Sequence, residues 1–433
     1  MKILFITEAY SPDSIIGAQR IIKFSKYMSL MGHEVTVLTT SRIYGKPDKS
    51  SLEEVNKVRI IRSGGEELHS INPLDTGKAR SIVKKHIPEL IYSFAKKLYS
   101  ETIIPWNSVK ESEYVYREMR ACYEEKLSKE SFDLTFCTYS TMPDVLMGEY
   151  INEKYGVPFV LDLRDKMDNA LVPYLLRKRN HKIQKRLIEK SAKTFIVSEV
   201  AKDELIHDYP SCVDKIATLY NGFDTKDEAA EQIKNERDIL TFAYTGGLYS
   251  GQRDLSVLFK VLKSLMDKCG YKFSVEYAGE DFEILRQQAD RYQIGHILNN
   301  HGSVSRHEAE KIQNGADVFL VASWIKNNEK GVLTGKFFEG IRAKKPIVTI
   351  VSGNLIGSEL YRINQNYNYG ICCETARNGS VQGLYNYIKK LYNMKVGGEL
   401  TNYEPGKELR EKFHYKNLSK ELEKYLLEIV EDN

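Results

Sequence analysis

The chain alternates short apolar runs with longer segments whose apolar positions recur at helical spacing. Residues 2–7 form the first apolar run, which predicts a buried strand, and a loop carrying Gly17 follows it. Residues 19–34 then have the period of an amphipathic helix, and the next apolar run covers 35–40. Strand, loop, helix and strand in this order predict a β-α-β unit, which requires a parallel sheet.

The same alternation continues on both sides of one charged segment. Residues 224–238 contain many charges and no apolar cluster, so this segment is predicted to separate two domains. Further strands are predicted before it at 57–63, 131–140, 157–165, 192–199 and 215–224, and after it at 239–247, 271–279, 316–323 and 345–351.

These elements predict an α/β protein with two Rossmann-like domains, each a doubly wound parallel sheet, that face a central cleft. The predicted bounds are 1–222 for the N-terminal domain and 223–404 for the C-terminal domain. Residues 405–433 are predicted to form a C-terminal helix that packs back on the N-terminal domain. Ligands of such sheets bind at the carboxyl ends of the strands, so the loops there are the first places to look for function.

Composition narrows the class of protein. The 433 residues are 42% hydrophobic and 28% charged, which is a globular balance, and 63 basic against 59 acidic residues give a net charge of +4. This excess gives no reason to expect a nucleic-acid partner. The six cysteines include no C-x-x-C pair, and the opening strand is not a signal peptide, so we expect a cytoplasmic protein with reduced thiols.

The stretch GVLTGKFFEGIRAKKP, residues 331–346, places a cation and a carboxylate at the start of an apolar helix. A helix that begins near Thr334 presents unpaired backbone amides, to which phosphate binds, and Lys336 lies in its first turn, where a cation does not favour the helix. Glu339 lies one turn later and can accept hydrogen bonds from hydroxyl groups. The alternative is a solvated surface pair, Lys336–Glu339, with no ligand.

Seven motifs follow one another along the chain: SPDSIIGAQR, GHEVTVLTT, LDLRD, FIVSE, YNGFD, AYTGGLYSGQRD and GVLTGKFFEGIRAKKPI. In this order they resemble the motifs of bacterial GT-B glycosyltransferases, in particular the retaining group that includes glycosyltransferase family 4. The resemblance covers nearly the whole chain and is weakest over residues 64–130. It implies transfer of a sugar from a UDP- or GDP-sugar to a glycan or lipid-linked glycan in cell-surface polysaccharide synthesis. It implies neither metal nor cofactor, since the nucleotide-sugar is a substrate.

The resemblance also assigns roles to the C-terminal domain, the donor side. Arg253 and Lys336 match the cations that stabilise the leaving diphosphate, a role that suits arginine's planar fork and a fixed positive charge. Glu339 matches the carboxylate that holds the ribose. The other residues expected at the donor are Gly17, Gly246, Gly247, Gly302, Val304, Glu329, Gly331, Val332, Leu333, Thr334 and Gly335.

Two positions depart from the family pattern. Gly331 stands where the family commonly has a glutamate that contacts the donor sugar, and Glu329 lies two residues out of register with it. Either Glu329 reaches the sugar by another loop path, or the backbone amides of residues 332–335 hold it. Gly247 stands where the family has its first phosphate-binding cation, a loss for which Lys336 is expected to compensate.

The N-terminal domain is expected to form the acceptor side. LDLRD places Asp162, Arg164 and Asp165 at the end of one predicted strand, and Tyr139 and Ser140 end another. Three charges at a strand end are costly unless they are paired or bind a ligand. An internal ion pair between Arg164 and an aspartate is therefore an equal alternative to acceptor binding.

Residues 77–110 mix basic and apolar residues, including Lys84, Lys85, Lys96 and Lys97. Such a segment suits the surface of an anionic membrane, and we expect peripheral contact there with the inner face of the cell membrane. An ordinary helix with lysines that extend to solvent is the alternative, and Pro88 interrupts the pattern.

Other functions are weighed against sugar transfer. A dinucleotide-dependent oxidoreductase requires G-x-G-x-x-G after its first strand, and SIIGAQR lacks that pattern. A non-catalytic GT-B homologue that acts as a binding partner stays open, because Gly331 and Gly247 replace charged residues of the family. A GT-B sugar-nucleotide epimerase is the closest enzymatic alternative.

Overall fold

The computed structural model describes residues 1–45, 47–48, 50–70, 104–169, 172–224, 238–325 and 330–431. Contacts divide the chain into two units. The first contains the described residues up to 197 together with 202–220 and those from 418 onward, and the second contains 198–201 and 221–417. The limits predicted from sequence were residues 222 and 404. Of the segment 77–110, which was predicted to contact a membrane, residues 77–103 lie outside the described residues.

A seven-stranded parallel sheet forms the centre of the first unit, in the order β4-β2-β1-β6-β7-β8-β9. Two short strands, β3 and β5, pair beside it. The strands are β1 (Lys2–Ile6), β2 (Glu34–Thr40), β3 (Arg42–Ile43), β4 (Arg59–Ser63), β5 (His69–Ser70), β6 (Leu134–Tyr139), β7 (Phe159–Leu163), β8 (Lys193–Ile196) and β9 (Ile216–Thr218).

A six-stranded parallel sheet forms the centre of the second unit, in the order β12-β11-β10-β13-β14-β15. Its strands are β10 (Ile239–Thr245), β11 (Lys272–Ala278), β12 (Leu298–Asn300), β13 (Val318–Trp324), β14 (Ile347–Ser352) and β15 (Gly370–Glu374). The predicted fold class of two doubly wound parallel sheets is therefore confirmed.

Helices connect these strands in the right order for parallel crossovers. They are α1 (Ile16–Leu30), α2 (Ser50–Glu54), α3 (Ile104–Lys126), α4 (Met142–Tyr155), α5 (Tyr174–Lys190), α6 (Glu199–Asp208), α7 (Ser256–Cys269), α8 (Phe282–Asp290), α9 (Arg306–Gly315), α10 (Gly335–Arg342), α11 (Glu359–Tyr367), α12 (Ser380–Gly397), α13 (Lys407–Phe413) and α14 (Tyr415–Glu431). None of these helices, in the described part of the chain, is both long and apolar enough to cross a bilayer.

Both sheets have a switch point, where the strand order turns from one direction to the other. It lies between β1 and β6 in the first sheet and between β10 and β13 in the second. The loops that follow neighbouring strands diverge at such a point, and ligands of open parallel sheets bind in the crevice between those loops. The fold therefore directs attention to the segments after β10 and β13, and after β1 and β6.

The helical tail differs from its prediction as one continuous helix. His414 takes an extended conformation between α13 and α14, with φ −73° and ψ 129°. The helix is interrupted at His414 because this residue forms a parallel β-bridge with Phe223. The Phe223 amide donates to Phe413 O over 3.0 Å, and the Tyr415 amide donates to Phe223 O over 2.9 Å. Beyond the break, α14 packs in the first unit, where the rings of Tyr425 and Phe195 lie 5.2 Å apart.

Candidate functional site

In the second unit, β10 ends in a turn whose backbone lies against Lys336. Gly246 has φ +141°, a conformation that favours glycine, and its amide donates to Ala278 O over 2.8 Å. A Cβ atom built on Gly246 would lie 3.3 Å from Lys336 Cε. The turn after β10 and the first turn of α10, which the sequence separates by ninety positions, therefore meet at the switch point of the sheet.

Lys336 and Glu339 form an ion pair that is itself held by a second residue. Lys336 Nζ lies 2.8 Å from Glu339 Oε2, and Gln313 Nε2 donates to the same oxygen over 2.7 Å. The Gln313 amide nitrogen also lies 2.6 Å from Thr245 Oγ1, at the end of β10. Because both charged side chains are partly exposed while Gln313 is buried, Gln313 fixes the carboxylate and leaves it accessible to a ligand.

Arg253 is buried and incompletely paired. Its Nη1 donates to Gly247 O over 3.0 Å, while its buried Nε has no hydrogen-bond partner among the described residues. The guanidinium carbon lies 4.3 Å from the ring centre of Tyr249 and 5.4 Å from that of Trp324. Because Arg253 is buried, it is not a surface arginine that merely pairs with the neighbouring Asp254. A buried donor without an acceptor is costly, and an anionic ligand would supply one.

The segment before α10 carries unused donors. Among the described residues, the amides of Val332, Leu333 and Gly335 have no hydrogen-bond acceptor, and buried Thr334 Oγ1 has no partner. Thr334 is the N-cap of α10, but its side chain makes no cap hydrogen bond. The start of α10 therefore presents several free N–H groups together with the positive end of the helix.

Gly331 is packed too tightly for any side chain. A Cβ atom there would lie 2.6 Å from Ser198 Oγ and 3.0 Å from the Ala201 amide nitrogen. The glutamate that the family commonly has at this position could not be accommodated without rebuilding this contact. Glu329, the other carboxylate proposed for the donor sugar, lies outside the described residues.

Gly247 is constrained by a neighbouring carboxylate. A Cβ atom on Gly247 would lie 3.3 Å from Asp281 Oδ2, which accepts a hydrogen bond of 2.6 Å from the Leu248 amide. The turn at position 247 is therefore held by Asp281, and the Arg253 guanidinium donates to Gly247 O.

Gly302 and Val304 lie in the loop after β12, on the side of Gly279. Gly302 has φ +68°, and its carbonyl accepts a hydrogen bond of 2.8 Å from the Gly279 amide. Val304 lines an open pocket together with His301, Glu308, Lys311 and Ile312. Gln313, the residue that holds Glu339, follows Ile312 on α9. Helix α9 therefore links this pocket to the ion pair.

In the first unit, Asp162 and Arg20 form a buried ion pair. The carboxylate accepts from Arg20 Nη2 over 2.7 Å and from Nε over 2.9 Å, and Thr138 Oγ1 donates to it over 2.6 Å. Arg20 also donates to the carbonyls of Leu219 and Tyr220 over 2.9 and 2.8 Å. The internal ion pair weighed in the sequence analysis exists, but its cation is Arg20 and not Arg164.

Gly17, which was predicted in the loop after β1, lies in the first turn of α1, and Arg164 contacts it there. Arg164 Nη1 donates to Gly17 O over 2.5 Å, and a Cβ atom on Gly17 would lie 2.9 Å from the same nitrogen. A side chain at position 17 would therefore displace the guanidinium. Asp165 is exposed beside it. Arg164, Gly17 and Asp165 are accordingly together at the carboxyl edge of the sheet, while Asp162 lies beneath them as part of the framework.

Tyr139 and Ser140 end β6 at the same edge. Burial, with the charges of Asp165, Asp144 and Asp168 adding to it, raises the pKa of Tyr139 to about 12. Ser140 Oγ is buried without a partner among the described residues. Asp144 is fully buried, and burial together with the charge of Glu8 raises the pKa of its carboxyl well above the ordinary value.

Sequence reasoning missed three residues on which this geometry depends. Gln313, Asp281 and Glu8 hold Glu339, the Gly247 turn and Thr141, respectively. No local motif marks these residues, because each acts on a partner that is distant along the chain. In the described part of the chain, no group of three or more His, Cys, Asp or Glu side chains has the arrangement of a metal site.

No family model matches the chain, and no curated protein matches its sequence. Solved structures do match. Sucrose-phosphate synthase from Thermosynechococcus elongatus is 11% identical with a TM-score of 0.63, covering 100% of both chains. The catalytic domain of starch synthase IV from Arabidopsis thaliana, bound to ADP and acarbose, is 10% identical with a TM-score of 0.58, covering 100% of this chain and 99% of that one.

A third match is HepE of Anabaena in complex with UDP and glucose, which is 13% identical with a TM-score of 0.56 and 99% coverage of both chains. At identities this low, the structural similarity establishes a shared fold and nothing more. The activity has to be argued from the site. The chain has the fold of the GT-B glycosyltransferases.

Proposed function

We propose that this protein is a metal-independent retaining glycosyltransferase that transfers a sugar from a UDP- or GDP-sugar to a glycan or lipid-linked glycan acceptor in cell-surface polysaccharide synthesis. One observation carries the proposal. At the switch point of the second sheet, Arg253 Nε and the amides at the start of α10 are unused hydrogen-bond donors, and Lys336 lies beside them as a second cation. A departing nucleoside diphosphate needs this environment.

Each residue has a defined part in the proposed donor site. The amides of residues 332–335 and Lys336 bind the diphosphate, and Arg253 donates its unpaired Nε to the same group. Glu339, held by Gln313, accepts the hydroxyl groups of the ribose. The pocket lined by His301, Val304 and Ile312 lies along α9 from Gln313, a position suited to the base.

The proposed chemistry depends on stabilising charge and not on a strong base. Breaking the bond between the sugar and the diphosphate places negative charge on the leaving oxygen. Fixed donors that point to this oxygen lower the barrier by several kcal/mol, since removal of one such donor commonly costs roughly 3 kcal/mol. Arg253 is fixed in this way, because the rings of Tyr249 and Trp324 lie against its guanidinium.

Similar solved structures support a nucleotide-sugar as the donor and leave its base open. HepE was solved with UDP and glucose and with UDP-glucose, and starch synthase IV with ADP and acarbose. These ligands belong to those proteins. We extend them to this chain as a proposal, because two cations and free amides lie at the switch point of its second sheet.

Turnover tests the proposal. The protein is incubated with UDP-, GDP- and ADP-sugars, release of the nucleoside diphosphate is measured, and proton NMR reads the anomeric configuration of the released or transferred sugar. Arg253→Ala should lower release by about 100-fold or more while the protein stays folded. Arg286→Ala, an exposed arginine of the same unit, is the matched control and should not change release.

A non-catalytic GT-B homologue is the second candidate, and the packing of Gly331 favours it. Because Ser198 and Ala201 exclude a side chain there, the carboxylate that the family commonly directs at the donor sugar is absent from that position. Binding of a nucleoside diphosphate without release from any nucleotide-sugar would support this candidate. Release with inversion of configuration would overturn the retaining mechanism and keep the transferase.

A further inference from the structure

Glu339, the carboxylate proposed to hold the ribose, already has two partners within the second unit. Lys336 Nζ lies 2.9 Å from Oε1 and 2.8 Å from Oε2, and Gln313 Nε2 donates to Oε2 over 2.7 Å. A carboxylate has about four lone-pair positions, two on each oxygen. These three contacts therefore leave roughly one position open, on Oε1.

Of the two partners, Lys336 is the one that can leave. Gln313 is buried, and its amide nitrogen is also hydrogen-bonded to Thr245 Oγ1 at the end of β10, over 2.6 Å. The Lys336 side chain is partly exposed, and its ammonium ends a flexible four-carbon stem. A Cβ atom on Gly246 would lie 3.3 Å from Cε and 4.0 Å from Cγ of Lys336, so the stem runs along the turn after β10. Rotation about its bonds moves the ammonium and leaves α10 in place.

The proposed role of Glu339 requires more acceptor positions than Lys336 leaves open. A ribose has two neighbouring hydroxyl groups, and each donates one hydrogen bond. With Lys336 in place, the Glu339 carboxylate has room for one of them. A nucleoside therefore makes both hydrogen bonds only after it has separated Lys336 from Glu339, and it offers the ammonium no anion in exchange.

A diphosphate gives Lys336 a new partner. Lys336 lies in the first turn of α10, directly after the segment whose amides at Val332, Leu333 and Gly335 have no acceptor among the described residues. A diphosphate bound to these amides would place negative charge beside the ammonium. Lys336 would then exchange the carboxylate for the diphosphate, and Glu339 would become available to both ribose hydroxyls.

We infer that Lys336 makes Glu339 fully available only to a ligand that carries a diphosphate and a ribose together. This inference rests on the proposed donor site and adds to it a coupling between the two parts of the ligand. A free nucleoside breaks the ion pair and leaves Lys336 without an anion. Inorganic pyrophosphate breaks it and leaves Glu339 without a donor. Each part alone is thus selected against by the same ion pair.

Calorimetric titration of the full chain with a nucleoside tests the first half of the coupling. UDP, GDP and ADP are titrated first, and the diphosphate that binds determines which nucleoside is used. Lys336→Met removes the charge and keeps the length of the side chain. It should weaken binding of the diphosphate by roughly tenfold, through loss of a charge-assisted hydrogen bond. It should tighten binding of the nucleoside by roughly two- to fivefold, the range that partly exposed ion pairs contribute.

Titration with inorganic pyrophosphate tests the second half and does not depend on the base. Glu339→Gln keeps the shape of the side chain and removes the charge that holds Lys336. It should tighten binding of pyrophosphate by roughly two- to fivefold, because the ammonium no longer has to leave a carboxylate. The same variant should weaken binding of the nucleoside diphosphate, since a neutral amide accepts weaker hydrogen bonds from the ribose than a carboxylate does.

Two further sets of variants serve as controls. Lys336→Arg keeps the positive charge and should bind the nucleoside no more tightly than the wild type does. Glu283 and Arg286 form an exposed pair at the same i,i+3 spacing in the same unit, with 3.7 Å between Oε1 and Nη1. Glu283→Gln and Arg286→Met should therefore leave the affinities for nucleoside and pyrophosphate unchanged.

The outcomes separate the inference from the proposed function. A wild type that binds none of the three diphosphates would overturn the donor site and the coupling with it. A wild type that binds one of them keeps the site. The coupling is then overturned if Lys336→Met fails to tighten the nucleoside, if Glu339→Gln fails to tighten pyrophosphate, or if Lys336→Arg tightens the nucleoside as much as Lys336→Met does.

Discussion

At the scale of single residues, two glycines of the same segment serve different purposes. Gly331 is in contact with Ser198 and Ala201, whereas a Cβ atom on Gly335 would have no neighbouring atom within 4 Å. Neither residue has a positive φ. The difference between them is therefore one of packing and approach to a ligand and not one of backbone conformation.

Gly331→Ala should lower the free energy of unfolding by about 1–3 kcal/mol, because the added methyl group forces the Ser198 contact apart. Urea denaturation measures this change. Gly335→Ala is the matched control and should leave stability unchanged or raise it, since alanine favours the start of a helix more than glycine does. Equal stability of the two variants would show that position 331 is not tightly packed.

The side chain of Arg253 is held in place by its aromatic neighbours before any ligand binds. Surface arginines bind anions but lose rotamer freedom when they do so, and here the rings of Tyr249 and Trp324 already restrict the guanidinium. Tyr249, Ser250 and Gly251 all have positive φ, which brings the Tyr249 ring back over Arg253. Such a turn is costly in backbone energy and is commonly found where a site requires it.

At the scale of elements, one ion pair joins α1 to β7. Arg20 and Asp162 are almost completely buried, and Arg20 also binds the carbonyls of Leu219 and Tyr220 after β9. Removing one member of a buried pair leaves the other charge without compensation, which is costly even where the intact pair contributes little. The pair thus fixes the start of α1, which contains Gly17, relative to the sheet edge.

Asp162→Asn should lower the free energy of unfolding by about 3–5 kcal/mol, because the Arg20 charge stays buried without its partner. Chemical denaturation gives this value. The matched control, Asp238→Asn, removes a carboxylate from the exposed pair with Lys272 and should change stability little. A similar small loss in both variants would mean that water reaches Arg20.

A second element, the start of α4, should depend on pH. Burial and the charge of Glu8 raise the pKa of the Asp144 carboxyl in the folded state, so the folded protein holds a proton that the unfolded chain releases. Stability from this group is therefore present below the ordinary aspartate pKa of about 3.9 and is lost as pH rises toward the folded value.

Asp144→Asn removes this dependence while it keeps an oxygen that accepts from the Thr141 amide. The free energy of unfolding of the variant, relative to the wild type, should rise as pH increases from about 4 toward neutrality. Denaturation at a series of pH values measures the difference. A difference that falls with pH over this range would mean that Asp144 is ionised in the folded protein.

At the scale of the whole molecule, the succession of strands along the chain was largely predictable from sequence. The side-chain contacts between distant elements were not. The apolar run 239–247 predicted β10, which ends at Thr245 because Gly246 leaves the extended conformation. β15 was missed, because GICCE begins with glycine, ends with glutamate and contains a single β-branched residue, so its composition does not indicate a strand. Its pairing with β14 identifies it.

The candidate site shows the same limit. The rule that ligands bind at the carboxyl ends of parallel strands indicated the loops after β10 and β13, and Lys336 does lie against Gly246. Arg20 and Asp162 are 142 residues apart and Gln313 and Glu339 are 26 apart, and no pattern within a single element pairs them. The roles of the predicted donor and acceptor residues remain predictions until a ligand is tested.

Binding of a nucleoside diphosphate to the second unit tests the central claim most directly. The melting temperature of the wild type, Glu339→Ala and Glu283→Ala is measured with UDP, GDP and ADP in turn. Glu283 is the matched control, because it is an exposed glutamate that pairs with Arg286 at the same i,i+3 spacing. A ligand at 100 times its dissociation constant stabilises a protein by about 2.7 kcal/mol.

The account predicts that one of the three diphosphates raises the melting temperature of the wild type and of Glu283→Ala, and raises that of Glu339→Ala much less. Stabilisation of all three proteins to the same extent would contradict the role of Glu339. Failure of every diphosphate to stabilise the wild type would contradict the donor site itself.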